Sequence, residues 1–414
     1  MNKIAFVSVG VLPVPDTKGG AVEALITSLI RQNEKERRLK FEIFSIDEEK
    51  AKEVSKKYKF SKVWFYDIPN SIKMLDLMIY RVFKKLFPGK NYNQARYILQ
   101  RLYFIWKCKK ELLKNDYDKV ILENHPSLML ILKNSKILKK YKGKIIYHVH
   151  NEFGGTYGCR KQLNEIDCFI SVSNALSKNL CQKYSLDENK FIVLKNCIDK
   201  ERFNEQIDCG KIERLKNLHG IKNGERVIIF AGRLTKGKGV HILIKAFNKL
   251  NFPNLKLVIV GGISFTLDFH SEYEQELHEL ANSNVIFTGY VPYSEMHYYY
   301  QMADIGVFPS IAFEAAGLTI IEAMSCGLPV ITVDTGGISE YTGDAAVLLK
   351  NDSEIEKEME QQIMLLLNDS EKIKEMQEKS ILETRKYTEE DYYLNFISLF
   401  NQIKVTKCIR TDLV

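Results

Sequence analysis

The 414-residue sequence contains no CxxC pair; its eight cysteines stand apart at 108, 159, 168, 181, 197, 209, 326 and 408. That scatter excludes a cysteine-based zinc site and a disulfide framework, and it points to a reducing cytosol. No apolar run reaches the roughly 18 residues that a membrane-spanning helix needs. The N-terminus runs from Met1 to Val7 straight into a strand-like segment, without the layout of a signal peptide. Low-complexity tracts and short repeats are also missing, and glycine and proline are modest at 23 and 9 residues. With 45% hydrophobic and 27% charged residues, the chain reads as globular and long enough for two ordinary domains.

Acidic residues are scarce in one half only. Residues 1–200 carry 38 Lys/Arg against 21 Asp/Glu, whereas the remainder carries 22 against 31. Residues 51–150 hold most of the excess, 23 basic against 7 acidic. A half so charged is suited to an anionic partner: a membrane surface, a phosphate-bearing lipid or nucleic acid. A generally lysine-rich proteome is the plainer explanation.

Strand and helix signals alternate along the chain, the pattern of a doubly wound parallel α/β sheet. Lys3–Ser8, Phe41–Ile46, Lys119–Leu122, Lys144–Val149, Cys168–Val172 and Phe191–Leu194 read as one strand series. Arg226–Phe230, Lys256–Val260, Val285–Thr288, Ile305–Phe308 and Pro329–Val333 read as a second. Two series joined near 200–222 predict two Rossmann-like lobes facing a cleft, residues 1–200 and 201–387. The aromatic helix-like tail, 388–414, is expected either to pack back on the first lobe or to cap the second.

The most informative segment runs from Phe308 to Met324. A strand ends at Pro309, a short loop carries Glu314, and a helix begins near Gly317. The peptide N–H groups of Ala316, Gly317 and Leu318 are then unpaired donors at a helix N-terminus, a site for a diphosphate. Glu314 is placed to bind a sugar ring, and Glu322, one and a half turns on, to accept hydrogen bonds from ribose hydroxyls. An ordinary strand–helix junction with solvated glutamates is the competing reading. The frame around it, with Gly327-Leu328-Pro329 and a further buried strand, favours the site.

This segment resembles the E-x7-E signature of retaining glycosyltransferases with the GT-B fold, family-4 type. Gly232-Arg233-Leu234-Thr235-Lys236-Gly237-Lys238-Gly239 resembles that family's donor-phosphate loop, and the resemblance implies that Arg233 and Lys238 meet the pyrophosphate. Phe287-Thr288-Gly289-Tyr290-Val291 resembles the strand end whose backbone, at Gly289 and Tyr290, meets the nucleobase. The likeness covers nearly the whole chain. Where the family usually has an aromatic before Gly317, this sequence has Ala316, which leaves more room beside the donor sugar. Chemistry supports the two cations: negative charge grows on the leaving nucleoside diphosphate as the glycosidic bond breaks, and fixed positive charge lowers that barrier. No Asp-x-Asp triplet stands at a strand end to hold a divalent ion, so no metal and no cofactor are expected, the nucleotide-sugar being a co-substrate.

In the first lobe, Pro13 to Glu23 forms a loop feeding a helix after the first strand, and Gly19 and Gly20 let its backbone face donor phosphates. It lacks the GxGxxG spacing of a dinucleotide oxidoreductase. His148 and His150 lie two apart at a strand end and form half a metal site, with no third ligand at useful spacing. The resemblance implies a histidine near the donor sugar, and His150, nearer the loop, is the candidate. Glu23 and His125 are candidates for the acceptor side; Ser173-Asn174 reads as a helix cap. Residues 70–90 form an amphipathic helix with interspersed lysines, ended by Pro88-Gly89. It suits peripheral membrane contact at the inner face of the plasma membrane, or burial against the core with basic side chains reaching out.

These features predict metal-independent transfer of a hexose-type sugar from a nucleotide-sugar to a glycan or lipid-pyrophosphate-linked glycan, with retention, as in capsule or exopolysaccharide assembly. A sugar-nucleotide epimerase on a related fold is one alternative; a silent surface or coat protein is another. A nucleic-acid partner would explain the basic half but not the phosphate loop, so none is expected.

Overall fold

A computed structural model describes residues 1–86, 97–262 and 272–411. The chain divides into two units: Met1–Val172, Leu176–Leu194 and Tyr392–Val414 form the first, and Ser173–Ala175 with Lys195–Asp391 the second. The crossover thus falls at Leu194/Lys195, and the C-terminal segment from Tyr392 onward counts with the first unit.

The first unit is built on a parallel sheet of β1 (Lys3–Val7), β2 (Lys40–Ile46), β3 (Ser61–Tyr66), β4 (Lys119–Glu123), β5 (Ile145–Val149), β6 (Cys168–Ser171) and β7 (Phe191–Val193), in the order β3-β2-β1-β4-β5-β6-β7. The second is built on β8 (Arg226–Ala231), β9 (Leu255–Val260), β10 (Val285–Gly289), β11 (Ile305–Phe308), β12 (Val330–Val333) and β13 (Ala346–Leu349), in the order β10-β9-β8-β11-β12-β13. β3 and β13 are additions to the strands expected from sequence, and each is an edge strand. Central strands such as β1 and β8 are nearly continuous apolar runs because helices cover both sheet faces. In each sheet the order reverses once, between β1 and β4 and between β8 and β11. Open α/β sheets bind ligands at the carboxyl ends of the strands flanking such a reversal.

Three helices of the first unit matter for function: α1 (Ala21–Glu36), α2 (Asn70–Leu86) and α3 (Ile98–Lys114). α2 corrects one of the two expectations for residues 70–90, since its apolar residues are not packed in the core. Met74, Leu75, Met78, Val82 and Leu86 are exposed, Met74 to 66% and Leu86 to 65%. The buried residue of this helix is Asp76, at 0% exposure. Its carboxylate accepts from Leu99 N at 2.8 Å and Gln100 N at 2.9 Å, satisfying amides of the first turn of α3. The helix docks through its acid and turns its apolar stripe outward. The Pro88-Gly89 stop lies outside the described residues.

Two further helices complete the frame: α4 (Leu318–Ser325) in the second unit and α5 (Glu389–Thr411), whose part from Tyr392 belongs to the first. Phe396 stacks on Phe6 with ring centroids 5.9 Å apart, and Phe6 meets Phe41 edge-on at 5.1 Å. Beside them Tyr393 Oη donates to Asn33 Oδ1 at 2.6 Å. Asn33 in turn bonds the backbone of Leu39 on both sides, so the tail is tied to the turn entering β2.

Candidate active site

In the second unit, two loops leave the carboxyl ends of the adjacent strands β8 and β11. The first carries Arg233 and Lys238, the second Glu314. Gly239 ends the first at φ +68, where a side chain would drive its Cβ into the Pro309 carbonyl. That close approach lets the Gly237 carbonyl accept from Ile311 N at 2.9 Å and Ala312 N at 3.0 Å, locking loop to loop. Lys238 Nζ consequently forms an ion pair with Glu314 Oε2, with both side chains partly exposed. Gly337 N donates to the Glu314 carbonyl at 2.8 Å, fixing its backbone. Arg233 is exposed and makes no ion pair among the described residues.

Gly317, at φ +67, is the N-cap of α4. Ile320 N and Ile321 N bond back to its carbonyl, while the amides of Ala316, Gly317 and Leu318 find no protein acceptor among the described residues. Unpaired amides at a helix start, a lysine and an arginine therefore share one strand edge, an arrangement suited to phosphate oxygens. Gly289 ends β10 at φ +69 on the outer edge of the same sheet, and Tyr290 beside it is exposed.

Glu322 departs from the expectation. Its carboxylate is not open to ribose hydroxyls but lies inside, 5% exposed, accepting from Tyr293 Oη at 2.8 Å and Tyr300 Oη at 3.3 Å. Burial, partly offset by those two bonds, pushes its carboxyl up to about 7. The native chain therefore holds more proton at this site than the unfolded chain between the ordinary 4.5 and about 7. The stability it contributes is full below that window and is lost as pH rises through it. The loss is roughly 3 kcal/mol, from 1.36 kcal/mol per pH unit over the interval. Glu322→Gln should flatten the fall in melting temperature between pH 5 and pH 8; a variant with the wild-type slope would contradict this.

In the first unit Gly19 (φ +74) and Gly20 (φ +145) follow β1, and Gly20 is the N-cap of α1. Glu23, in that helix's first turn, is buried; desolvation, opposed by its own backbone N–H and helped by the charges of Asp16 and Glu123, brings its carboxyl to about 7. His125 ends β4. Its Nδ1 accepts from Ser127 N at 3.2 Å, which leaves Nε2 to carry the hydrogen.

The histidine pair has the third partner that spacing did not reveal. Glu123, at the end of the neighbouring β4, places a carboxylate oxygen 3.2 Å from both His148 Nδ1 and His150 Nε2. One ligand atom from each residue lies within 4.8 Å of the others, and all three residues are buried. These atoms are close enough to converge on one cation, and they also satisfy one another as hydrogen bonds. Burial opposes ionisation of Glu123, but His148 and then His150 outweigh it and hold the carboxyl at about 2. Burial, then His148, pushes His150 down to about 4, so it is a neutral imidazole at physiological pH. Sequence reading missed Glu123 because pairing across β4 and β5 brings Glu123 beside His148, 25 positions away. Ser173 and Asn174 sit at a helix start as expected, and there the Glu340 carboxylate also accepts from Asn174 N and Ala175 N, within the second unit.

Two parallel doubly wound sheets, with a cationic loop and free helix amides at the reversal of the second, define the class of GT-B nucleotide-sugar enzymes. Known proteins narrow it further. The sequence model described as Glycosyl transferases group 1 matches residues 211–383, and that described as Glycosyltransferase Family 4 matches residues 80–202. The chain belongs to the family-4-type GT-B glycosyltransferases. An uncharacterized glycosyltransferase of Methanocaldococcus jannaschii is 32% identical over 173 residues, 41% of this chain and 43% of that protein. The lipopolysaccharide 1,2-N-acetylglucosaminetransferase of Salmonella typhimurium is 25% identical over 313 residues, 68% of this chain and 77% of its own length. The fold matches that of Anabaena HepE, crystallised with UDP-glucose, at a TM-score of 0.71 and 18% identity, over 97% of this chain and 100% of that one.

Proposed function

We propose that this protein transfers a hexose-type sugar, with retention, from a nucleotide-sugar donor to a glycan carried on a lipid diphosphate. The observation that carries the donor side is the locking of the Arg233–Gly239 loop onto the Glu314 loop, which sets Lys238 against Glu314 beside the free amides of Ala316, Gly317 and Leu318. Fixed donors aimed where the leaving diphosphate gains charge stabilise the transition state without reorganising. Glu314 is assigned to the sugar ring and His150 to the donor sugar; Gly19 and Gly20 offer backbone amides to phosphate, and Gly289 with Tyr290 meets the base. Glu322 serves the donor by a rearranged contact, Tyr293 giving up one oxygen to a ribose hydroxyl. Arg233 and Lys238 supply the positive charge, so transfer is expected to proceed in EDTA.

The donor reading is tested with sugar nucleotides. A bound donor raises the melting temperature by mass action, and the uridine diphosphate sugars are the first to try, since the HepE fold neighbour was crystallised with UDP-glucose. One or more donors should stabilise the chain and be turned over only with acceptor present. Turnover of donor alone to an epimer would favour the epimerase, and stabilisation without any transfer the silent protein.

The acceptor reading places α2 and α3 on an anionic membrane surface. Among the described residues no helix is long and apolar enough to cross a membrane. Exposed Met74, Met78 and Val82 on α2, and Leu102 and Trp106 on α3, instead form stripes flanked by Arg81, Lys84, Lys107 and Lys110. Such a face suits binding in the headgroup plane. Trp106 emission should shift to the blue on vesicles containing phosphatidylglycerol, and Met78→Asp should reduce vesicle binding about tenfold, at roughly 1–2 kcal/mol for a buried side chain. Equal binding by the variant would count against this face.

A further inference from the structure

We propose that Arg101 is the anchor of an anion site in the first unit, taking the phosphate or diphosphate of the acceptor; this rests on the glycosyltransferase reading above. Arg101 lies on the face of α3 opposite Leu102 and Trp106, turned inward, and is only 9% exposed. Its guanidinium makes no hydrogen bond or ion pair among the described residues, and Nε is buried without a partner. Asp76 is near enough to act on its charge, but both Asp76 oxygens are engaged by the amides of Leu99 and Gln100. A buried guanidinium without a hydrogen-bond acceptor is costly even with a carboxylate in its field, and a chain carries one where a ligand supplies the missing acceptors.

The surroundings are donors. His125 lies within reach of the Arg101 charge. With Nδ1 taken by Ser127 N, its ring turns Nε2 to the site as the nitrogen that carries the hydrogen. The ring of Tyr157 stands 5.4 Å from that of His125. The same turn continues through Gly158 to Cys159, where Lys109 and Lys133 lie in each other's field. Neither lysine has an ion pair among the described residues. A guanidinium, an imidazole N–H, a phenol and two ammonium groups thus flank one turn beside the carboxyl end of β4. Phosphate oxygens are the ligand chemistry that so many donors satisfy, and Arg grips them with two parallel bonds. On α3 the exposed Leu102 and Trp106, proposed above to meet lipid, and the buried Arg101 belong to one helix. A diphosphate at a membrane surface is thereby within reach of the sheet edge that carries Glu23, His125 and His150.

The test uses the full chain and two probes. Inorganic pyrophosphate, titrated calorimetrically, should occupy two sites. Arg233→Ala should abolish one and Arg101→Gln should weaken the other at least tenfold, each leaving its counterpart intact. Arg101→Lys should recover part of the affinity. Because the arginine is unpaired, Arg101→Gln should melt no lower than the parent, whereas a merely structural arginine would leave binding unchanged and lower the melting temperature. If Arg233→Ala changes nothing while Arg101→Gln removes a site, the donor reading fails and this inference stands. If Arg101→Gln binds pyrophosphate as the parent does, the inference is overturned. Phosphatidylcholine vesicles with and without a polyprenyl diphosphate separate the sources. Capture dependent on both the diphosphate lipid and Arg101 assigns the site to lipid-linked phosphate; loss confined to soluble pyrophosphate assigns it to a free anion.

Discussion

Lys238→Ala and Arg233→Ala should each lower kcat with the cognate donor by about 10²–10³, the loss typical of removing one fixed donor from a site of developing charge. Both side chains reach the strand edge from a single short loop, and Lys238 is held there by Glu314. Donor phosphate must take over part of that ion pair, so the cost of breaking it is met when the donor binds, while the charge keeps its value as the bond breaks. An ion pair so exposed contributes about 0–1 kcal/mol to folding. Both variants should therefore melt within a degree or two of the parent, which separates lost chemistry from lost structure. Because Lys238 and Glu314 touch, Lys238→Ala combined with Glu314→Ala should cost less than the sum of the single losses. Single-turnover rates at saturating donor read the effect directly. Rates within a few-fold of the parent for both single variants would remove these residues from the mechanism.

The contrast between what the sequence revealed and what it hid has a physical basis. Central strands such as β1, β8 and β11 were legible because burial on both faces demands unbroken apolar runs. β3 and β13 were not: each is an edge strand in which half or more of the residues are only partly buried, which weakens the apolar signal. The Glu314–Gly317 segment was legible because strand end, loop and helix start are consecutive in the chain. Glu123 with His148 and His150 was not, since register between neighbouring strands assembles it. The α2 helix shows the limit of periodicity most clearly. Its pattern announced a two-faced helix but not which face turns inward, and a single buried acid, Asp76, decides that. Arg101 was hidden for a related reason: helical spacing marks a polar residue as outward, and no local signal marks a cation kept inside for a ligand.

Phe396→Ala should destabilise the first unit by about 3–5 kcal/mol, the usual cost of emptying a large aromatic site in a core. Phe396 is fully buried, stacked on Phe6 of β1, edge-on to Phe41 of β2 at 6.3 Å, and backed by Phe400 at 4.9 Å. Phe6 and Phe41 sit on the two strands that begin the first sheet, so the C-terminal helix closes a core formed at the opposite end of the chain. Collapse around the cavity is limited because β1 is fixed on both sides by hydrogen bonds to β2 and β4. The chain's two tryptophans, Trp64 and Trp106, both belong to the first unit, so their fluorescence in urea reports that unit separately. The midpoint should fall by about 1–5 M at a slope of about 1–3 kcal/mol/M. Leu394→Ala, two residues away on the exposed side of the helix, should stay within about 0.5 kcal/mol of the parent. Tyr393→Phe should cost about 1 kcal/mol more than that control, because it leaves buried Asn33 Oδ1 short of a donor. A Phe396→Ala midpoint equal to that of Leu394→Ala would mean that the tail does not close this core.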